Sequence, residues 1–322
     1  MLEWLQENQQ QYGDTFCMHN RDRFVVAITR PEDVRHFLMD KFDHFERFGT
    51  RRRRFYEVFG NGIFSSNGEN WKHQRATARP MFTKASLVEM LFPFIRNGRK
   101  VIQVLEKFQE ESLEMQDLFQ RYTLDSIGEI GFGHDVGALD ALLRGDKTKV
   151  RFAQAFDYTQ RIVEESGRNP YLEMFAPRQY NVDLAYLNQF VLDIIEKRFK
   201  DQDFYDKSDL LARFMQLKDA DGEQLPKSYL RDVVLNFFIA GRDTTASLLT
   251  WTFYLLSSHP HVEEKLRVEI NSTLRTAEDF TYENIKSMKY MKQVLNEVLR
   301  LYPPGNVSAT SPLQLKFDVQ CP

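Results

Sequence analysis

Apolar residues recur every three or four positions along most of the chain, and this period predicts a mainly helical protein. The long stretches of this kind are predicted as helices at residues 84–111, 114–131, 148–166, 181–200, 228–257, 261–275 and 281–301, with a short helix at 1–10. Pro31 is predicted to open a further helix through Met39, because proline and acidic residues suit a first turn. Asn70 is predicted to cap a helix that begins at Trp71.

Alternation with a period of two is confined to the start of the chain. Residues 15–19 (TFCMH) and 24–29 (FVVAIT) flank a polar turn and are predicted to form a small hairpin. Residues 41–63 are predicted as loop. Pro303 and Pro304 are predicted to end the last helix, because a residue before proline disfavours helical geometry. The predicted fold class is therefore mainly α with a small N-terminal β element, and no clear linker divides it.

Composition narrows the class of protein. Of the 322 residues, 42% are hydrophobic and 28% are charged, which is typical of a globular domain rather than a disordered one. The 27 phenylalanines favour an aromatic-rich helical core. A net charge of −3 gives no reason to expect a nucleic-acid partner. The two cysteines, Cys17 and Cys321, make a disulfide framework improbable.

The chain offers one candidate membrane span, at residues 233–256. Arg242 and Asp243 interrupt it, and neither apolar piece reaches the roughly 20 residues that a span needs. Residues 1–11 carry no apolar run typical of a signal peptide. We therefore predict no membrane anchor within these residues.

The same two charges stand in the middle of the most apolar predicted helix. Arg242, Asp243, Thr244 and Thr245 follow Gly241, and most of these are poor formers of a helix interior. A local rule broken inside an element often marks a functional place. The alternative is an ordinary amphipathic helix whose two charged residues reach solvent at a kink.

Helical spacing suggests what this segment could do. Ala240 and Thr244 are four apart and share a face, and a threonine hydroxyl can bond the carbonyl four residues back. Without a side chain, Gly241 would let a flat ligand lie against the backbone. Asp243 and Thr244 together offer a carboxyl and a hydroxyl that could relay protons to a bound group.

Two further pairs have helical spacing. Trp71 and Arg75 could hold an anionic group of a large ligand, or could simply pack on one another. Glu297 and Arg300 have apolar neighbours and could form a partly buried bidentate pair, or could be an ordinary surface pair of small energetic effect.

Taken together and in this order, the three segments resemble the cytochrome P-450 monooxygenase family. They are WKHQR (Trp71–Arg75), AGRDTT (Ala240–Thr245) and EVLR (Glu297–Arg300), the last followed directly by LYPP. The resemblance extends from about Tyr12 to Pro304. It implies a partial P-450 domain at residues 1–304, and residues 305–322 look like a divergent tail.

The resemblance implies a fold, a cofactor and a role for each matching residue. The fold would be the family's triangular helical prism with a small sheet near its N-terminal end, and the cofactor would be haem b. Asp243 and Thr244 would be the catalytic pair that delivers protons to dioxygen. The cofactor-binding residues would be Trp71, Arg75, Ala240, Gly241 and Thr245. Glu297 and Arg300 would form a structural brace beneath the haem.

Residues 60–82 and 229–251 resemble more closely the eukaryotic branch that hydroxylates fatty acids and alkanes at the terminal carbon. This finer resemblance implies a long-chain aliphatic substrate. The resemblance to the family as a whole implies dioxygen, a reductase that supplies electrons from NADPH, and the cytosolic face of the endoplasmic reticulum as the location.

The cysteine thiolate that holds the family's iron is the main departure. The family places it in a Phe-x-x-Gly-x-Arg-x-Cys-x-Gly loop, which these 322 residues do not contain. Cys321 stands in Gln-Cys-Pro and Cys17 in the predicted hairpin, so no metal ligand is assigned.

We expect a chain that is truncated at both ends and has no monooxygenase activity as written. A non-catalytic truncated isoform or fragment is the alternative. Isomerisation or dehydration of a hydroperoxide is a second rival, against which the Asp243–Thr244 pair counts.

Overall fold

The computed structural model describes residues 2–20, 23–46, 53–167, 169–201, 207, 209–218, 222–305 and 311–312. The chain divides into two compact units. One comprises Met1–Arg51 with Asn306–Pro322, and the other comprises Arg52–Gly305.

The first unit contains the β structure. Helix α1 (Leu2–Tyr12) precedes strands β1 (Thr15–Asn20) and β2 (Arg23–Ile28), which pair antiparallel from Thr15 opposite Ile28 to Asn20 opposite Arg23. Helix α2 (Pro31–Arg35) continues as a π-helical turn, and β3 (Phe45–Glu46) pairs antiparallel with β4 (Ser311–Pro312). The predicted short helix, hairpin and proline-led helix are confirmed. Apart from Gly305 and β4, the predicted tail lies outside the described residues.

The second unit is helical. Its helices are α3 (Arg53–Phe59), α4 (Gly68–Ala78), α5 (Lys84–Lys107), α6 (Met115–Phe132), α7 (Ala138–Leu143), α8 (Arg151–Ser166), α9 (Pro170–Met174), α10 (Arg178–Lys200), α11 (Leu210–Met215), α12 (Lys227–Ser258), α13 (Pro260–Thr273), α14 (Tyr282–Ser287) and α15 (Lys289–Leu301). None of the helices in the described part of the chain is long and apolar enough to cross a membrane.

Three predictions about element boundaries are wrong. Helix α3 lies within the segment predicted as loop, and α4 begins at Gly68 after Asn67, so Asn70 is not a cap. The helix predicted at 281–301 is two helices, because Met288 has an extended backbone with φ −70° and ψ 90°.

Helix α12 packs against α6, α10, α3, α11, α13 and α15. Its Phe238 is fully buried and lies with ring centroids 4.7 Å from Phe132 on α6 and 4.9 Å from Phe152 on α8. Aromatic pairs at such distances add to the burial of apolar surface. The aromatic-rich helical core predicted from composition is confirmed.

Candidate functional site

Residues 242–245 form a polar segment in the middle of the apolar helix α12, called the polar break below. This segment places a hydroxyl on the helix surface. Thr244 is exposed, and its Oγ1 donates a hydrogen bond of 2.7 Å to the carbonyl of Ala240. The predicted bond to the carbonyl four residues back is confirmed. Since the hydroxyl proton is used in this way, the lone pairs of Oγ1 are left to accept a hydrogen bond from a ligand or water.

The alternative in which both charged residues reach solvent at a kink is wrong for Arg242, which is buried, whereas Asp243 is partly exposed. Arg242 is the largest fully buried side chain of the described residues, and its Nη1 lies 2.6 Å from Oδ1 of Asp157 on α8. Asp243 is partly buried, with Oδ1 3.3 Å from the same Nη1.

Burial raises the pKa of Asp243 above its usual value, and the negative charge of Asp157 adds to this rise. Arg242 and a hydrogen bond with Gln160 oppose the rise without cancelling it. Because the protonated carboxyl therefore persists to a higher pH than in water, Asp243 is suited to hold and release a proton beside Thr244.

Gly241 has a packing role in the structure. A Cβ built on it would lie 2.6 Å from Cγ1 of Ile127, so glycine lets α6 cross α12 closely. Thr245 and Ala240 are half-buried on the same helix. Contact of any of these three with a cofactor stays a prediction.

Trp71 and Arg75 share a face of α4, as predicted. The Arg75 guanidinium carbon lies 5.5 Å from the centroid of the Trp71 ring, within cation–π range. Arg75 is exposed, and no carboxylate in the described ranges forms an ion pair with it. The pair therefore presents a cation, oriented by an aromatic ring, that an anionic ligand could neutralise.

The loop between α3 and α4 is hydrogen-bonded to both α4 and α12, and sequence analysis did not predict these contacts. The backbone N–H of Asn61 donates to Oδ2 of Asp232 at 2.9 Å, and that of Phe64 donates to Oδ1 of Asn236 at 3.0 Å. Gln74 on α4 in turn donates to the carbonyl of Asn61 at 2.8 Å. The signal that could have revealed this loop is Asn236, the one polar residue between Val233 and Gly241.

Glu297 and Arg300 on α15 form the predicted bidentate pair. The guanidinium donates from Nε to Oε2 at 2.8 Å and from Nη2 to Oε1 at 2.6 Å, which lowers the pKa of Glu297. The expectation of partial burial is wrong, because the two side chains are 56% and 67% exposed. A bracing role stays a prediction.

The structure assigns no metal ligand. Cys17 lies exposed in β1, and Cys321 lies outside the described residues. Across the described part of the chain, no three His, Cys, Asp or Glu side chains are grouped so that they could hold a metal ion.

Comparison with known proteins places this geometry in one family. The family model for cytochrome P450 matches residues 1–312. Cytochrome P450 monooxygenase himC of Aspergillus japonicus is 32% identical over 315 residues, covering 94% of this chain and 55% of that protein. Cytochrome P450 86B1 of Arabidopsis thaliana is 32% identical over 343 residues, covering 94% and 59%. Cytochrome P450 52A5 of Candida maltosa is 30% identical over 296 residues, covering 87% and 55%.

Among solved structures, the cytochrome P450DA heme domain superposes with a TM-score of 0.80 at 24% identity. The match covers 93% of this chain and 64% of that domain. The likeness confirms the predicted fold class, a partial helical domain of this type with a small β element. The chain spans less than two thirds of the length of the curated relatives described above.

Proposed function

Because this chain belongs to the cytochrome P450 family, we propose that it supplies the oxygen-activating side of a haem-dependent monooxygenase. The substrate class we propose is a long-chain aliphatic compound such as a fatty acid or alkane, on the resemblance of residues 60–82 and 229–251 to that branch. The observation that carries the proposal is the partly buried carboxyl of Asp243 next to the exposed hydroxyl of Thr244.

The residues present fit a haem. Arg75 is an exposed cation held against Trp71, so this pair would bind a haem propionate. Ala240, Gly241 and Thr245 would border the cofactor along α12. When bound, haem supplies the redox chemistry by which one atom of dioxygen enters a C–H bond and the other leaves as water, with two electrons and two protons consumed.

The proposed task of this chain's own residues is to handle those protons. Asp243 carries a proton on its carboxyl more readily than an exposed aspartate does, because burial raises its pKa. Thr244 donates to the Ala240 carbonyl, so its Oγ1 can accept from a water that exchanges protons with Asp243. The electrons would come from NADPH through a reductase, at the cytosolic face of the endoplasmic reticulum.

The cofactor assignment is tested by titrating haem into residues 1–322 and following the Soret absorbance. Arg75→Ala should weaken haem binding about tenfold, since it removes one charge-assisted hydrogen bond. Arg79→Ala is the matched control, because Arg79 is an exposed arginine in the turn that follows α4. Equal affinities for the two variants would contradict the assignment of Arg75.

The same preparation tests the axial ligand. Because neither Cys17 nor Cys321 has the family's loop around it, the reduced protein with carbon monoxide should lack the thiolate-type Soret band, and it should form no hydroxylated fatty acid. If the band appears, the Cys17→Ala and Cys321→Ala variants identify the ligand, and the proposal that these residues do not turn over alone is wrong.

A further inference from the structure

The buried guanidinium of Arg242 on α12 forms ion pairs with two carboxylates. Nη1 of Arg242 lies 2.6 Å from Oδ1 of Asp157 and 3.3 Å from Oδ1 of Asp243. The Arg242 side chain is 2% exposed, so solvent cannot replace either partner. An arginine stays protonated in proteins, and it therefore cannot itself pass a proton between the two carboxylates. What it can change is the charge that each carboxylate experiences.

The surroundings of Arg242 hold its guanidinium toward α8. Its guanidinium carbon lies 5.8 Å from the ring centroid of Phe156, next to Asp157 on that helix. Its Nε is buried and has no hydrogen-bond partner among the described residues. A cavity of about 10 Å³, close to the lower limit for one water molecule, borders Arg242 and Lys149. The guanidinium is thus not fixed by a complete set of bonds, and a change in its partners can reorient it.

Asp157 is anchored from its other side. Its Oδ2 accepts from Nζ of Lys149 at 2.7 Å, and this ammonium is also 3.8 Å from Oδ1 of Asp117 on α6. Asp117 in turn accepts from Arg121 at 2.8 Å. Among the described residues, Arg242, Lys149 and Gln160 lower the pKa of Asp243 and Asp157 raises it.

From this arrangement we propose that Asp157 is a positioning residue for the proton-handling site. It competes with Asp243 for the buried guanidinium of Arg242 and so keeps the Asp243 carboxyl only weakly paired and able to take up and release a proton. The inference rests on the proposed function for its catalytic meaning. The competition itself is a property of three side chains, Arg242, Asp157 and Asp243, and it can be measured without turnover.

The test is a pH titration of the Asp243 carboxyl carbon by NMR in residues 1–322 labelled at aspartate, with Asp243→Asn to assign the signal. Asp157→Asn removes the competing charge and frees Arg242 to pair with Asp243, so the midpoint should fall by about one pH unit or more. Lys149→Met leaves Asp157 in place but removes a nearby cation, so the midpoint should rise. The two substitutions thus predict shifts of opposite sign.

Asp183→Asn is the matched control. Like Asp157 on α8, Asp183 accepts from an arginine, Arg151, at 2.6 Å. Asp183 is the more deeply buried of the two, and no contact joins it to Arg242 among the described residues. Its loss should leave the Asp243 midpoint unchanged. A midpoint that does not fall in Asp157→Asn, or that falls equally in Asp183→Asn, would overturn the proposal.

The titration separates this inference from the proposed function. If the midpoint shifts as expected while Arg75→Ala and Arg79→Ala bind haem with equal affinity, the competition exists and the haem site of the proposed function is wrong. If Arg75→Ala weakens haem binding as expected while the Asp243 midpoint is unchanged in Asp157→Asn, the haem site stands and Asp157 is not a positioning residue.

Discussion

The contact between Asn236 and Gly62 offers a quantitative test of how the loop before α4 is attached to α12. Asn236 is fully buried, donates from Nδ2 to the carbonyl of Phe59 at 2.7 Å, and accepts from the N–H of Phe64 at 3.0 Å. Asn236→Ala leaves the Phe64 N–H without a partner, whereas the Phe59 carbonyl keeps the N–H of Gly62 at 3.2 Å. At about 1–3 kcal/mol for the unpaired N–H and about 1 kcal/mol for the lost bond to Phe59, the free energy of unfolding should fall by about 2–4 kcal/mol.

Gly62 lies against the same amide. A Cβ built on Gly62 would be 1.9 Å from Nδ2 of Asn236, and that amide cannot move cheaply because its hydrogen bonds fix it on both sides. Gly62→Ala should therefore destabilise the protein by about 1–3 kcal/mol. In the double variant the obstructing amide is gone, so the combined loss should be smaller than the sum of the single losses by about 1 kcal/mol or more.

The assay is urea unfolding of the four proteins, with hydrogen exchange at the Phe64 amide to locate the effect. Asn271→Ala serves as the control, because Asn271 is exposed on α13 and its loss should change stability by less than about 0.5 kcal/mol. Additive losses, or unchanged protection of the Phe64 amide in Asn236→Ala, would refute the contact described here.

Three further predictions concern other parts of the second unit. Burial raises the pKa of Asp125 to about 6, so the stabilisation that its protonated form provides should be lost as pH rises from about 4 to about 6. Measured relative to Asp125→Ala, the free energy of unfolding should fall by up to about 3 kcal/mol over that range. A rise in this difference would contradict the assignment. Gly241→Ala should destabilise the protein by about 1–3 kcal/mol, because the new Cβ would clash with Ile127. Gly98→Ala on α5, where a Cβ meets nothing within 4 Å, should stabilise the protein slightly. Urea midpoints that move in the same direction for both variants would refute this reasoning. Because Glu297 is exposed, Glu297→Ala should leave the urea midpoint of residues 1–322 unchanged, and a clear loss of stability would show that the pair braces this chain as it stands.

Sequence periodicity predicted the long helices well, because their apolar residues recur every three or four positions over several turns. It missed the helices α7, α9 and α11, of five or six residues, since elements this short complete too few turns to show a period. It also joined α14 to α15, because the apolar pattern continues through Met288 while the backbone does not. The local residue pattern thus located the elements, but it did not fix the residues at which they begin and end, which depend on tertiary contacts.

In the candidate site, too, contacts within one helix could be predicted from the sequence, whereas a contact between distant residues could not. The Thr244 bond to Ala240, the Trp71–Arg75 pair and the Glu297–Arg300 pair each lie within one helix, and helical spacing alone was enough to predict their contacts. The burial of Arg242 was missed, because its partner Asp157 is 85 positions away on α8, and one sequence gives no sign of that approach.

That missed contact changes how the polar break in α12 is understood. A lone arginine in an apolar helix predicts a solvent-facing kink, since a buried charge without a partner is very unfavourable. With Asp157 supplied from α8, the same arginine can be buried, and the carboxyl beside it becomes one of two that share a single cation. Burial raises the pKa of Asp243 most and Asp157 adds to that rise, so the sequence motif supplies the groups while the tertiary structure determines their environment.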